Sequence, residues 1–187
     1  MDITDNFDRI TDIRISLNNE TDRGCALMTA SFIENELENL LRKRLVGSKK
    51  FKNENLFSLN GPLGTFSAKI HISYSLGFIS KSVLEEINLI RKIRNKFAHK
   101  YEPIDFNSPE ISQLISNIKY HYTIKNNRRV FESSGFAILA FIHSEEIQEP
   151  FKESREFDLS EDNKTEFIRQ KDMLLNRLFE KDKKREE

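Results

Sequence analysis

Apolar side chains recur along this chain at intervals of three and four residues, the spacing that gathers side chains on one face of a helix. The clearest run begins after Thr21 and Asp22, which can cap a helix, and ends before Gly47, which can terminate one. Its apolar positions are Met28, Phe32, Ile33, Leu37, Leu40, Leu41 and Leu45. This spacing predicts a helix from Thr21 to about Val46.

Helix-breaking residues are scarce, which favours further helices over a sheet of many strands. The chain has 6 glycines and 4 prolines, and several of them cluster around residues 61–64 and 101–109. The apolar spacing predicts an amphipathic segment over 3–17, a polar loop over 48–60, and helices over 65–78, 81–98, 109–121 and 161–183.

Residues 119–143 are harder to assign, because their apolar side chains fit two patterns. Tyr120, Tyr122 and Ile124 alternate like a short strand, whereas residues 131–142 can form either a buried strand or a helix. Their apolar positions fit the helical period better. We therefore favour a helix over 131–142.

The length of the chain indicates a single domain. At 187 residues it can bury one full-sized core and is short for two. A charged fraction of 32% beside 37% apolar residues suits amphipathic helices with long solvated faces. We predict an all-α fold, a single-domain helical bundle of about six or seven helices over residues 1–187, with a frayed tail at 184–187.

Composition also narrows the class of protein. The chain carries 30 basic and 30 acidic side chains, whereas a DNA-binding domain usually carries a basic excess that neutralises phosphates. Cys25 is the single cysteine, so no internal disulfide can form, and its setting predicts a small buried side chain. No apolar run approaches transmembrane length. We expect a cytoplasmic protein with no membrane partner and no metal.

Three residues near the end of the predicted 81–98 helix can carry acid–base or phosphate chemistry, namely Arg94, Asn95 and His99. Histidine can take a proton from a ribose 2′-hydroxyl, arginine can donate to charge on phosphorus, and asparagine can position either group. This reaction requires no cofactor. Further candidate contacts to phosphate or RNA are Arg91, Lys96, Lys100 and Arg23.

The same cluster has a structural interpretation. Cations at a helix C-terminus offset the helix dipole and hydrogen-bond the last carbonyls. Arg94 and Asn95 are separated by about 100° around a regular helix. Arg94 and His99 can still converge if the last turn of the helix loosens before Pro103. Spacing alone favours the capping interpretation over a catalytic one.

Four stretches carry a family resemblance. They are Thr21-Asp-Arg-Gly-Cys-Ala-Leu, Asn60-Gly-Pro-Leu-Gly-Thr-Phe-Ser-Ala-Lys-Ile, Tyr74-Ser-Leu-Gly-Phe-Ile and Leu89-Ile-Arg-Lys-Ile-Arg-Asn-Lys-Phe-Ala-His. Together, over about residues 20–101, they resemble the mannitol repressor family of bacterial regulatory proteins. The resemblance implies an all-helical fold and repression of a sugar-uptake operon. Because the sequence has no helix-turn-helix with a basic recognition helix, a protein partner is expected, and we also expect a homodimer.

The pattern Arg94-Asn95-x-x-x-His99 also resembles the motif of HEPN ribonucleases, small helical proteins that act as toxins or defence effectors. This second resemblance implies an HEPN-like bundle, a composite cleft between two subunits, an antitoxin as protein partner and RNA as substrate. His99 would be the acid–base residue, Arg94 would stabilise phosphate and Asn95 would position it. The sequence thus leaves two hypotheses, a regulator that binds a protein and, alternatively, a metal-independent ribonuclease.

Overall fold

The computed structural model describes residues 13–45, 54–121 and 125–145, and every regular element within these ranges is helical. The helices are α1 (Asp22–Arg44), α2 (Glu54–Phe57), α3 (Phe66–Ser75), α4 (Lys81–His99), α5 (Pro109–Ile115) and α6 (Asn127–Glu145), and residues 13–18 are also helical. The chain divides into two compact units, Met1–Phe151 and Lys152–Glu187, and all described residues belong to the first. For these residues the predicted all-α bundle is confirmed.

Helices α1, α3 and α4 begin at hydroxyl side chains. Thr21, Thr65 and Ser80 each accept a hydrogen bond from the backbone N–H three residues later, at 3.0, 3.1 and 3.3 Å. A cap of this kind satisfies one of the N–H groups that the first helical turn leaves unpaired. The starts of these helices are therefore set locally by the sequence.

The helix predicted over 109–121 is too long, because α5 ends at Ile115. The reason is a tertiary contact from α4. The buried carboxylate of Glu86 accepts the backbone N–H groups of Lys119 and Tyr120, at 3.1 and 3.0 Å, which draws this segment away from a helical path. The predicted polar loop over 48–60 also needs correction, since it contains the one-turn helix α2.

The helix favoured over residues 131–142 is confirmed and is longer, since α6 begins at Asn127. Within the range predicted as 3–17, residues 13–17 are described and are helical. Several predicted features lie outside the described residues, namely the start of that segment, the alternation through Tyr122 and Ile124, the helix over 161–183 and the tail at 184–187.

The connection between α4 and α5 is anchored by an aromatic stack. The ring of Phe106 lies between those of Phe97 in α4 and Phe131 in α6, with centroid distances of 5.1 and 5.0 Å. All three side chains are buried, and tilted aromatic pairs at such distances add stability beyond their buried area. Helix α4 packs against both α5 and α6. The stack holds Phe106, and with it the connection between α4 and α5, against the core.

Candidate functional site

An open groove of about 560 Å³ runs between the C-terminal half of α4 and the short helix α5. Most of the residues that line it have polar side chains, and three of them are lysines, although the aliphatic parts of these side chains supply much of its surface. The lining residues are Lys92, Asn95, Lys96, His99, Lys100, Glu110 and Leu114. The groove therefore contains four of the predicted site residues and three from other positions in the sequence.

The regular geometry of α4 produces this row of side chains. Lys92, Lys96 and Lys100 follow one another at intervals of four residues, and Asn95 and His99 form a second such pair, so both sets lie on neighbouring rows of the helix surface. Lys100 closes the helix by donating its backbone N–H to the carbonyl of Lys96 at 3.2 Å. The helix remains α-helical to its end, which keeps these side chains in register.

Glu110 from α5 bridges two of the lysines. Its carboxylate accepts hydrogen bonds from the Nζ of Lys96, at 3.0 Å, and from the Nζ of Lys100. The hydrogen bond from Lys100, followed by that from Lys96, lowers the pKa of Glu110, and the same hydrogen bond raises the pKa of Lys100. The groove thus contains three ammonium groups, from Lys92, Lys96 and Lys100, against one carboxylate.

Arg23 stabilises the end of α4 from a distance of 77 residues along the chain. Its guanidinium donates to the backbone carbonyl of Lys100 at 2.7 Å. A cation on a terminal carbonyl of a helix is electrostatically favourable, because the C-terminal end of the helix dipole is negative. Arg23 was predicted as a candidate phosphate contact. In the structure it lies beside the groove and contacts the backbone of Lys100, one of the lining residues.

Arg94 is not among the residues that line the groove. Its Nη1 donates to the side-chain oxygen of Asn95 at 2.8 Å. Because the last turn of α4 does not loosen, Arg94 and His99 leave the helix about 140° apart, as the 3.6-residue period requires. Arg91 is likewise outside the lining, and its Nε donates to Asn88 at 3.3 Å. The groove brings together Asn95, His99 and the lysines.

Glu110 and Leu114 were not predicted as site residues. They come from α5, after a connection that begins at Lys100, and no local spacing relates them to α4. Tyr101 was not among the predicted site residues either. It directly follows Lys100, and its side chain is fully exposed.

The described ranges contain neither a cluster of metal-ligating side chains nor a long apolar helix. No group of three His, Cys, Asp or Glu side chains among those residues is arranged to hold a metal ion. In the same part of the chain, no helix combines the length and apolar character needed to cross a bilayer.

The groove and the helices that form it lie within a segment that matches a known family. The family model described as mannitol repressor matches residues 16–135. This chain belongs to the mannitol repressor family. The resemblance predicted over residues 20–101 is thus confirmed, and the match extends through α5 into α6.

One solved structure supports the fold of this mannitol repressor family member. It is the X-ray structure of the MtlR–HPr complex from Escherichia coli, of which one chain is 17% identical, with a TM-score of 0.57. The similarity covers 74% of this chain and 98% of that chain. At this identity the likeness concerns the fold. None of the curated proteins matches this chain.

Proposed function

We propose that this protein is a regulator of the mannitol repressor type that acts by binding another protein. The observation that carries the proposal is the family match over residues 16–135. The zero net charge of the chain supports it as well, because a DNA-binding domain usually carries a basic excess that neutralises phosphates.

The proposed partner is an HPr-type protein. The supporting observation is that the structural neighbour from Escherichia coli was solved as a complex of MtlR with HPr. The proposed contact surface is the groove between α4 and α5 together with the exposed ring of Tyr101. Tyrosine is enriched at protein interfaces because its rigid ring supplies contact area and its hydroxyl can hydrogen-bond. The proposal includes a cytoplasmic homodimer.

The proposal is tested by binding and by transcription. HPr from the same organism is titrated into the purified full-length chain, and transcripts of sugar-uptake operons are compared between strains with and without the gene. We expect saturable binding that Tyr101→Ala weakens, and a raised transcript level in the deletion strain. Tyr74→Ala, an exposed tyrosine on α3, is the matched control. Absence of binding together with unchanged transcripts would overturn the proposal.

The alternative function is an HEPN-type, metal-independent ribonuclease, a toxin or defence effector. It is favoured by one observation, the presence of Asn95 and His99 in the same groove. The regular last turn of α4 weighs against it, because Arg94 and His99 diverge within one chain. The test is RNA cleavage without added metal by the wild type, His99→Ala and Arg94→Ala. Cleavage that requires both residues would establish the nuclease, and intact RNA would remove it.

A further inference from the structure

We infer that the groove between α4 and α5 binds an acidic segment of the partner protein, and that Glu110 competes with that segment for the same lysines. This inference rests on the proposed function, because it specifies the chemistry of the partner at the proposed contact surface. It depends on three observations, namely the charge of the groove, the position of Glu110 and the exposure of Tyr101.

The first observation is an unbalanced basic surface on a chain with zero net charge. Three of the lining residues are lysines and one is a carboxylate. Lys92 is exposed, and it has no ion-pair partner among the residues that the structure describes. A concave surface with an excess of one sign attracts the opposite sign, and a carboxylate-rich segment complements it.

The second observation is that a carboxylate already occupies the position an acidic partner would take. Glu110 accepts from Lys96 and Lys100 at once, so the two ammonium groups converge on one point. These contacts lie at the surface, where a single ion pair contributes little stability. A segment with several carboxylates can therefore displace Glu110 at low cost, and it finds the lysines already oriented.

The third observation is the ring of Tyr101, fully exposed and adjacent in sequence to Lys100. Tyrosine is enriched among the residues that contribute most of the affinity of protein interfaces, so burial of this ring by a partner can add affinity to the attraction between charges. The partner segment that fits this surface combines carboxylates with at least one apolar side chain.

Protein is favoured over RNA as the occupant. Proteins that hold single-stranded nucleic acid combine a long basic groove with several aromatic rings on which successive bases stack. This groove has three lysines, an internal carboxylate and no arginine or aromatic residue in its lining. Its lysines attract carboxylates and phosphates alike, but it lacks the several aromatic rings on which successive bases would stack.

The experiment measures the affinity of the full-length chain for a fluorescent oligoglutamate peptide by polarisation at low salt. Oligoglutamine and single-stranded oligouridylate are the comparison probes. The variants are Lys92→Glu, which reverses an unpaired groove charge, and Glu110→Gln, which removes the competing carboxylate. Lys119→Glu is the matched control, because it makes the same charge change away from the groove. Lys119 pairs with Glu85, and Glu85 lies about 20 Å before His99 along the axis of α4.

We expect oligoglutamate to bind and oligoglutamine not to bind. We expect Lys92→Glu to weaken binding about tenfold and Glu110→Gln to tighten it about fivefold. Lys119→Glu should leave the affinity within about twofold of the wild type. Changes of this size correspond to the modest energies of charge interactions at exposed sites. Equal affinity of wild type and Glu110→Gln would overturn the competition, and preferential binding of oligouridylate would overturn the protein assignment. If HPr binds the wild type and oligoglutamate does not, this inference fails and the proposed function stands.

Discussion

Gly135 lies on the side of α6 that packs against α1. A Cβ added there would come within 2.6 Å of the Cγ2 of the buried Thr29. Alanine is the better helix former by about 1 kcal/mol, but overpacking a core costs about 1–3 kcal/mol, so the steric effect prevails. We predict that Gly135→Ala lowers the free energy of unfolding by about 1–2 kcal/mol, measured by denaturant unfolding.

Thr29→Ser provides the control for this substitution, because it removes the obstructing methyl group and keeps the hydroxyl. In the background of Thr29→Ser, the change Gly135→Ala should be neutral or stabilising, since only the gain in helix propensity remains. An equal loss of stability in both backgrounds would show that the contact with Thr29 is not the cause.

Cys25 illustrates how burial determines the chemistry of a thiol. Its side chain is fully buried, and burial raises its pKa to about 12, with the carboxylate of Glu132 contributing in the same direction. Because the thiolate is the reactive form, the folded protein should resist alkylation at neutral pH. We predict slow labelling by iodoacetamide in buffer and rapid labelling in denaturant, followed by mass spectrometry. Rapid labelling of the folded chain would contradict this.

Helices α1 and α3 are joined by a buried ammonium group. Lys69 of α3 donates to Glu34 at 3.1 Å and forms an ion pair with Glu38 at 2.8 Å, and its side chain is only 6% exposed. Burial acts to raise the pKa of Glu38, but the hydrogen bonds from Lys69 and Arg42 outweigh burial and lower it below its ordinary value of 4.5. A lowered pKa in the folded state means that ionised Glu38 favours folding.

The stability contributed by Glu38 is therefore fully present above about pH 4.5 and is lost as the pH falls through the lowered folded-state pKa. We predict that Glu38→Gln costs about 1–2 kcal/mol at pH 7, because Lys69 keeps Glu34 as a partner, and that the cost shrinks towards pH 3. Thermal unfolding of both proteins across this range measures the difference. A cost independent of pH would contradict the assignment.

The sequence predicts the helices well because their signals are local. The caps at Thr21 and Ser80 and the apolar spacing between them and the helix ends are visible within a few residues. The end of α5 is not visible in this way, since it depends on the buried carboxylate of Glu86, which lies 33 residues before Lys119. A side chain that terminates another helix from across the core leaves no pattern in the sequence around that helix.

The candidate site likewise combines residues that local spacing relates to one another and a residue that only the tertiary structure brings close. The i, i+4 spacing along α4 accounts for the presence of Asn95 with His99, and of Lys96 with Lys100, in the lining of one groove. Glu110 could not be predicted, because its contact with both lysines depends on how the connection after α4 folds back. That path is fixed by the stack of Phe106 on Phe97 and Phe131, a tertiary arrangement among residues far apart in sequence.

At the scale of the whole molecule, the chain belongs to the mannitol repressor family, its described residues form a helical bundle, and a basic groove lies at the C-terminal end of α4. The zero net charge of the chain and this local basic surface are consistent with recognition of a protein segment that presents carboxylates. The groove, its internal carboxylate and the adjacent exposed tyrosine would then form one contact surface for the partner.

The most direct test of this account is a calorimetric titration of the full-length chain with HPr from the same organism. The account predicts saturable binding that is weakened by added salt and by Lys92→Glu, because the partner meets the basic groove, and that is unchanged by Lys119→Glu. Absence of saturable binding, or equal weakening by both substitutions, would contradict it.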